Sequence, residues 1–173
     1  MVFTTHAVVG GALAKIIGAD PIGAFAVGLA SHYILDAIPH WEYSLSSCKE
    51  STTGDALDGN IVLGRDFIFD SFKFLPDLFL GLFLALHFFS TFDFSTTQGL
   101  WRGLSDPVLW GVAGSILPDG LQFLYYKIKK EPLTSIQKLH NFMHSSIKID
   151  DKQFLGSLFQ IILIITVILL FKL

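Results

Sequence analysis

The amino-acid sequence predicts an all-α fold, a polytopic membrane helical bundle with about five membrane-embedded helices and one amphipathic helix. Hydrophobic residues make up 51% of the 173 positions, and the mean hydropathy of +0.56 is far above that of ordinary soluble domains. Residues 154–171 carry no charge and are rich in Ile and Leu, as expected of a transmembrane helix. Residues 1–173 are therefore expected to form a single integral-membrane helical domain.

Composition also excludes some classes of function. The net charge is −3 and the two arginines are Arg65 and Arg102, so the chain lacks the basic face that a nucleic-acid partner needs. Cys48 is the single cysteine, which excludes an internal disulfide and a thiolate metal site. The first residues lack the basic region of a signal peptide, so residues 1–17 are expected to belong to the mature fold.

The first predicted helix is short and covers residues 7–17. Thr4 or Thr5 is its expected N-cap, which places His6 in the first turn. Small residues recur along this helix and the next at four-residue steps, a pattern that favours close helix packing. They are Gly10 and Ala14 in the first helix and Ala24 and Gly28 in the second.

The second helix, about residues 22–38, carries the most informative polar residues. His32 and Asp36 are spaced i, i+4 and leave the same helix face. Pro39 should end or kink the helix, which leaves His40 close to that pair. An imidazole and a carboxylate at membrane depth are costly without partners. The pair therefore marks either a functional site or a His–Asp hydrogen bond that joins two helices.

The third helix is predicted over residues 65–89, after an exposed polar loop at residues 44–64. Four charged residues share one face of this helix: Asp66, Asp70, Lys73 and Asp77. The ordinary structural interpretation of Asp77 is a salt bridge to Lys73. His87 lies at the opposite end of the helix and is predicted to be a membrane-interface or packing histidine.

Three further segments complete the predicted fold. A fourth helix covers residues 106–127 with a kink at Pro118, after which Asp119 is either a functional or a capping residue. An amphipathic helix at residues 135–145 carries His140 and His144 at i, i+4, a pair that would alone suggest an ordinary exposed face. The apolar helix at residues 154–171 follows.

The distribution of Lys and Arg predicts the topology. Residues 40–65 and 127–152 hold most of them, whereas Arg102 alone lies in the 90–105 connection. With alternating helices, the N-terminus, both basic segments and the amphipathic helix fall on one side, predicted to be cytoplasmic. Five of the six histidines then converge at that face: His6, His32, His40, His140 and His144.

This convergence predicts a metal site. Neutral imidazole and carboxylate are the groups with which proteins bind zinc and similar divalent ions. The available groups exceed the four ligands that one zinc needs, so two or more ions are expected. The predicted ligands are His6, His32, Asp36, His40, Asp119, His140 and His144.

Four short segments combine these residues into recognisable motifs. They are Thr5-His6-Ala7, Leu117-Pro118-Asp119, His140-Asn141-Phe142-Met143-His144-Ser145, and the Gly28 to Asp36 segment with its Ser-His-x-x-x-Asp pattern. Together they resemble the YdjM-like family of membrane-bound, metal-dependent hydrolases of bacteria and archaea. In this chain the Ser-His-x-x-x-Asp motif comes second instead of last, Leu121 stands where the family has a second Asp, and Asn141 replaces the usual Arg. The ligand types are also similar to those of the zinc-dependent phospholipases C, which are all-helical enzymes.

The resemblance implies a metal-dependent hydrolase in a prokaryotic cell membrane, with zinc as the expected ion. A site at the bilayer–water boundary suits a lipid headgroup, so the expected substrate is a phosphate ester or phosphodiester of a lipid. Asp70 or Asp77 would bridge the ions or act as general base. Two other interpretations stay open: a divalent-metal transporter or sensor without hydrolytic activity, and a structural bundle held by His–Asp bonds. An enzyme should have an open site that faces a groove at headgroup level, whereas a carrier should hold its ligands near the bilayer midplane with access from both sides.

Overall fold

The computed structural model describes residues 1–18, 20–49, 55, 57–91, 95–145, 147 and 152–171. Over these residues the chain is mostly helical, which confirms the all-α prediction. The seven helices of the described residues are α1 (Phe3–Ile17), α2 (Pro21–Asp36), α3 (Arg65–Phe89), α4 (Thr97–Gly103), α5 (Pro107–Ile128), α6 (Leu133–Met143) and α7 (Gln153–Phe171).

The connection between α2 and α3 differs from the predicted loop. It contains two short antiparallel strands, β1 (Cys48–Lys49) and β2 (Asn60–Ile61), with Cys48 opposite Ile61. Residues 50–54 and 56 of this connection lie outside the described residues. The short helix α4 was also not predicted, and it falls in the 90–105 connection.

Two of the described helices, α3 and α7, are long and apolar enough to cross a membrane, judged by length and composition. Only 17% of the apolar window of each is buried inside the structure, whereas the core helix of a soluble protein would be mostly buried. The predicted number of about five such helices is not reached. The helices α1 and α2 have 15 and 16 residues, short of the roughly 20 that a bilayer needs, and α5 is long enough but less apolar.

Glycines allow α1, α2 and α5 to pack closely, as the small-residue pattern predicted. A Cβ atom on Gly28 of α2 would overlap the carbonyl group of Gly111 on α5, and one on Gly114 would overlap the carbonyl of Phe25. A Cβ on Gly10 of α1 would lie 2.6 Å from that of Ser115, nearer than side chains pack. The backbones of these three helices therefore approach each other directly, with no side chain between them.

The start of α1 differs from the prediction. Thr4 and Thr5 lie inside α1, which begins at Phe3, so neither is the N-cap. Asp77, which lies on the neighbouring helix α3, caps α1 instead. Its carboxylate accepts hydrogen bonds from the Phe3 amide (2.6 Å), the Thr4 amide (3.3 Å) and the Thr4 hydroxyl (2.6 Å). A carboxylate at a helix N-terminus satisfies amides that have no partner within the helix, and it anchors α1 to α3.

The last helix packs against the core through apolar residues such as Val167, and its Gln160 adds hydrogen bonds to two distant segments. The side-chain carbonyl of Gln160 accepts hydrogen bonds from the Val2 amide and the Thr5 hydroxyl, each at 3.1 Å, and its amide group donates to the carbonyl of Trp41 at 2.8 Å. Gln160 is 2% exposed. It therefore ties the start of the chain to the segment that follows α2, and both of these segments border the cluster described next.

Candidate metal centre

Asp36, the last residue of α2, lies at the centre of a cluster of histidines and carboxylates. It is 1% exposed, and three histidine Nε2 atoms lie close to its oxygens: His32 at 3.0 Å, His6 at 3.2 Å and His140 at 3.3 Å. His40 Nε2 lies 3.8 Å away. The structure thus brings together in one cluster all seven residues predicted as metal ligands: His6, His32, Asp36, His40, Asp119, His140 and His144.

Four of these residues form the first of two groups, here called the buried group: His32, Asp36, Asp119 and His140. His32 Nε2 and His140 Nε2 are 3.4 Å apart, and both face Asp36 Oδ2. Asp119 Oδ1 lies 3.7 Å from His32 Nε2 and 3.9 Å from His140 Nε2. Ligands about 2.0 to 2.1 Å from a tetrahedral zinc ion lie about 3.3 to 3.4 Å from each other. The spacing of the buried group is close to that of such a ligand set.

The second group, here called the rim group, shares Asp36 and adds His40, Glu42 and His144. Glu42 Oε1 lies 2.9 Å from His40 Nε2 and 3.2 Å from His144 Nε2. The Met1 amino group lies among these residues, 2.8 Å from Asp36 Oδ1, 2.9 Å from His40 Nε2 and 3.0 Å from Glu42 Oε1. A positive charge therefore already lies between the carboxylates of the rim group.

The two oxygens of Asp36 belong to different groups. Oδ2 faces His32 and His140, whereas Oδ1 faces the Met1 amino group, His6 and His40. A carboxylate that offers one oxygen to each of two neighbouring sites is suited to bridge a pair of ions.

The hydrogen bonds of two histidines determine which ring nitrogen is free for an ion. His32 Nδ1 lies 2.7 Å from the carbonyl oxygen of Ser115, and His40 Nδ1 lies 2.7 Å from that of Ile38. A carbonyl oxygen only accepts, so Nδ1 is the donor in both rings and Nε2 of the neutral ring carries a lone pair. His32 Nε2 then faces Asp36 Oδ2, which also carries lone pairs, whereas His40 Nε2 can accept a hydrogen bond from the Met1 amino group at 2.9 Å. A cation between His32 Nε2 and Asp36 Oδ2 removes their repulsion, and metal-binding histidines are commonly oriented by such a second hydrogen bond.

Two further histidines have buried nitrogens without partners. His6 is fully buried and stacks on His32 with ring centroids 4.2 Å apart, yet neither of its nitrogens has a hydrogen-bond partner among the described residues. The same holds for Nδ1 of His140. Unpaired polar atoms are costly in a protein interior, and His6 Nε2 points to the cluster at 3.2 Å from Asp36 Oδ1. An ion at this place would give that nitrogen a partner.

The rim group stabilises the ionised form of Glu42. Burial by itself would raise the pKa of this carboxyl, but hydrogen bonds from His144 and His40 outweigh that effect and lower the pKa. The same contact with Glu42 raises the pKa of His144. The side chains of Glu42 and His144 are 47% and 32% exposed, so the rim group reaches solvent.

The two carboxylates predicted as bridging or catalytic groups lie outside both groups. Asp70 accepts hydrogen bonds from the Ser47 amide at 2.7 Å and from Lys73 Nζ at 2.9 Å. Asp77 caps α1. The salt bridge between Lys73 and Asp77 that the sequence suggested is not formed, because Lys73 pairs with Asp70. Both carboxylates thus have structural partners. His87 stacks on Phe83 near the far end of α3, consistent with its predicted packing role.

Glu42 and the Met1 amino group were not predicted as members of the site. A signal for Glu42 was present in the sequence, because residues two apart in an extended segment point to the same side and Glu42 follows His40 by two. The separation of His140 and His144 was also not predicted. The helix α6 ends at Met143, so His144 is its extended C-cap residue and reaches Glu42, while His140 joins the buried group.

A cavity of about 450 Å³ opens onto the cluster between α3 and α5. Its polar lining includes Glu42, Asp119, His140 and His144, and the greater part of its lining is apolar. The side chain of Asp119 is 23% exposed, whereas His32 and Asp36 are buried. A concave opening thus leads to the site.

Fold and site together define a helical protein with a buried histidine–carboxylate cluster that could hold a metal ion. Comparison of the chain with protein-family models, with curated proteins and with solved structures gave no match. The resemblance to the YdjM-like hydrolases therefore stays a prediction.

Proposed function

We propose that this protein is an integral-membrane, metal-dependent hydrolase that cleaves a phosphate ester or phosphodiester of a lipid at the bilayer–water boundary. The observation that carries this proposal is the position of Asp36. It offers one carboxylate oxygen to the buried group and the other to the rim group, and both groups border the same cavity. Two adjacent ion sites of this kind are typical of enzymes that hydrolyse phosphate esters.

The residues fit divalent ions such as zinc. The buried group would hold one ion, and Asp36, His40, Glu42 and His144 would hold a second, with His6 directed at the same carboxylate oxygen as the rim group. When bound, such ions lower the pKa of water and polarise a phosphate ester. The chain itself supplies Asp119 and Glu42, the two cluster carboxylates that line the cavity, as the groups able to accept a proton there.

Charge balance favours an anionic substrate. The cluster contains three carboxylates, those of Asp36, Glu42 and Asp119. They cancel three of the four positive charges of two divalent ions, the histidines are neutral when they act as ligands, and the Met1 amino group adds no negative charge. The loaded centre therefore keeps a positive charge that suits a phosphate group in the cavity.

The membrane location rests on α3 and α7 and on the apolar residues that these helices expose. We propose that the shorter apolar helices are also embedded, which would give the bundle of about five, and that the cluster lies on the cytoplasmic side of a prokaryotic membrane. Thiol labelling of native Cys48, which is exposed, and of Thr97→Cys in a Cys48→Ser background tests this arrangement. Labelling of both positions from the same side would contradict it.

A single preparation of the full chain in detergent tests the function. We expect about two divalent ions per chain by elemental analysis, placed at the cluster by anomalous scattering, and phosphate release from phosphatidic acid or a phosphodiester lipid that a chelator abolishes. Bound metal without hydrolysis of any lipid phosphate would instead favour a transporter or sensor. Absence of metal in a competitive chelator titration would contradict both.

A further inference from the structure

The lining of the cavity combines two chemically different sets of residues. One set belongs to the cluster and comprises Glu42, Asp119, His140 and His144. The other is an apolar wall, here defined as Phe67, Phe74 and Leu78 of α3 and Phe123 of α5. Phe67 contacts both Phe74 and Phe123, with ring centroids 5.9 and 5.8 Å apart, so the wall is continuous from one helix to the other. All four side chains are only half-buried by the protein itself.

The position of this wall relates it to the membrane. It lies mainly on α3, one of the two helices apolar enough to cross a bilayer. The outer face of α3 exposes Phe72 and Phe79, at 72% and 63%, as a lipid-facing surface would. Phe74 and Leu78 instead line the cavity. A molecule that leaves the bilayer beside α3 would meet the apolar wall and the cluster together.

We propose that the cavity binds an amphiphile, with its anionic headgroup at the cluster and a hydrocarbon chain along the apolar wall. The headgroup part of this proposal rests on the proposed function. The chain part rests on the wall, which makes the substrate a lipid phosphate recognised by its chain and not a small soluble phosphate ester. Pockets for small ligands have about 300 to 1,000 Å³ and combine a mostly apolar lining with a few polar groups, as this cavity of about 450 Å³ does.

Gly120 provides a way to fill the cavity without disturbing its walls. It lines the cavity, and a Cβ atom placed on it would meet no other atom within 4 Å. Leucine is also a better helix former than glycine, so Gly120→Leu is compatible with α5. The added side chain would occupy part of the cavity.

Binding of phosphonates tests the chain site apart from catalysis, because a phosphonate carries the anionic head but no ester bond to hydrolyse. The titration compares methylphosphonate and hexylphosphonate on the zinc-loaded full chain in nanodiscs. A buried methylene contributes about fourfold in affinity, so hexylphosphonate should bind at least about tenfold tighter. Equal affinities would overturn the proposal.

Matched variants locate the effect. Phe74→Ala and Gly120→Leu should each remove most of the preference for hexylphosphonate over methylphosphonate. Phe79→Ala makes the same substitution on the lipid-facing side of α3 and should keep the preference for hexylphosphonate. It is the control for partition of hexylphosphonate into the bilayer. Equal losses in Phe74→Ala and Phe79→Ala would overturn the assignment to this wall.

The same measurements separate failure of this inference from failure of the proposed function. Chain-dependent phosphonate binding without hydrolysis of any lipid phosphate would support the chain site and contradict the hydrolase. Chelator-sensitive hydrolysis with no chain preference would support the hydrolase and contradict the chain site.

Discussion

The buried group and the rim group share Asp36 but are held by different kinds of structure. His32, Asp36 and Asp119 lie on α2 and α5, whose backbones touch at Gly28 and Gly111. His40 and Glu42 instead lie in the non-helical segment after α2, and His144 lies at the end of α6. Side chains on packed helices keep their positions more firmly than side chains on irregular segments.

This difference suggests that the buried group and the rim group have different roles in metal binding. The buried group borders the cavity at Asp119 and His140, is otherwise buried, and is suited to retain an ion tightly. The rim group reaches solvent and already accommodates the Met1 amino group, so it is suited to a more exchangeable ion. One carboxylate, that of Asp36, thus connects a firmly held site to a more adaptable one, and substitutions in either group test this difference.

Asp36→Asn should have the largest effect, because both groups depend on this carboxylate. We expect loss of nearly all bound metal, measured by elemental analysis after desalting. The neutral amide cannot bridge two ions or balance their charge. Asp66→Asn, the same substitution at an exposed position in the first turn of α3, is the control and should retain full stoichiometry. Retention of two ions by Asp36→Asn would show that the cluster is not shared as described.

His32→Ala and His144→Ala should separate the two groups. We expect His32→Ala to weaken binding of the tightly held ion and His144→Ala to weaken binding of the more exchangeable ion. Each metal affinity should fall by more than the roughly 10- to 100-fold typical of a residue that only orients a ligand. Chelator titration resolves the two affinities. His87→Ala, near the far end of α3, should change neither, and metal loss in that variant alone would place the site elsewhere.

Gly28→Ala should test whether helix contact holds the buried group. The added methyl overlaps the Gly111 carbonyl, so we expect a decrease of about 1 to 3 kcal/mol in the free energy of unfolding together with weaker binding at the buried group. Gly120→Ala is the matched control, since its Cβ meets no atom within 4 Å and the substitution should be neutral or slightly stabilising. Equal thermal stability of the two variants would contradict the close contact.

Asp77→Asn should have the smallest effect on the site. It removes a charge from the N-terminus of α1, which should cost about 1 kcal/mol of stability, as measured by thermal unfolding. Metal content and the rate of lipid phosphate hydrolysis should stay close to those of the unmodified chain. A loss of activity of several hundredfold with metal content unchanged would instead restore Asp77 as a general base.

Much of this architecture followed from local pattern. Residues four apart share a helix face, so the placement of His32 beside Asp36 and the close packing at Gly28 were predictable from spacing. The apolar composition of α7 predicted a helix able to cross a membrane. The meeting of the seven predicted residues was anticipated from the charge distribution. The alternating arrangement of about five membrane helices behind that argument stays a prediction, since two of the described helices are long and apolar enough to cross a membrane.

The tertiary structure decided what depends on exact chain ends and on partners distant in sequence. A contact between helices fixes the start of α1, because the Asp77 carboxylate of α3 accepts a hydrogen bond from the Phe3 amide. The Met1 amino group therefore lies at Asp36. The helix α6 ends at Met143, one residue before His144. His144 contacts Glu42 in the rim group, whereas His140 belongs to the buried group. Periodicity assigns a residue to a face of its own helix, but only packing determines which group on another segment that face meets.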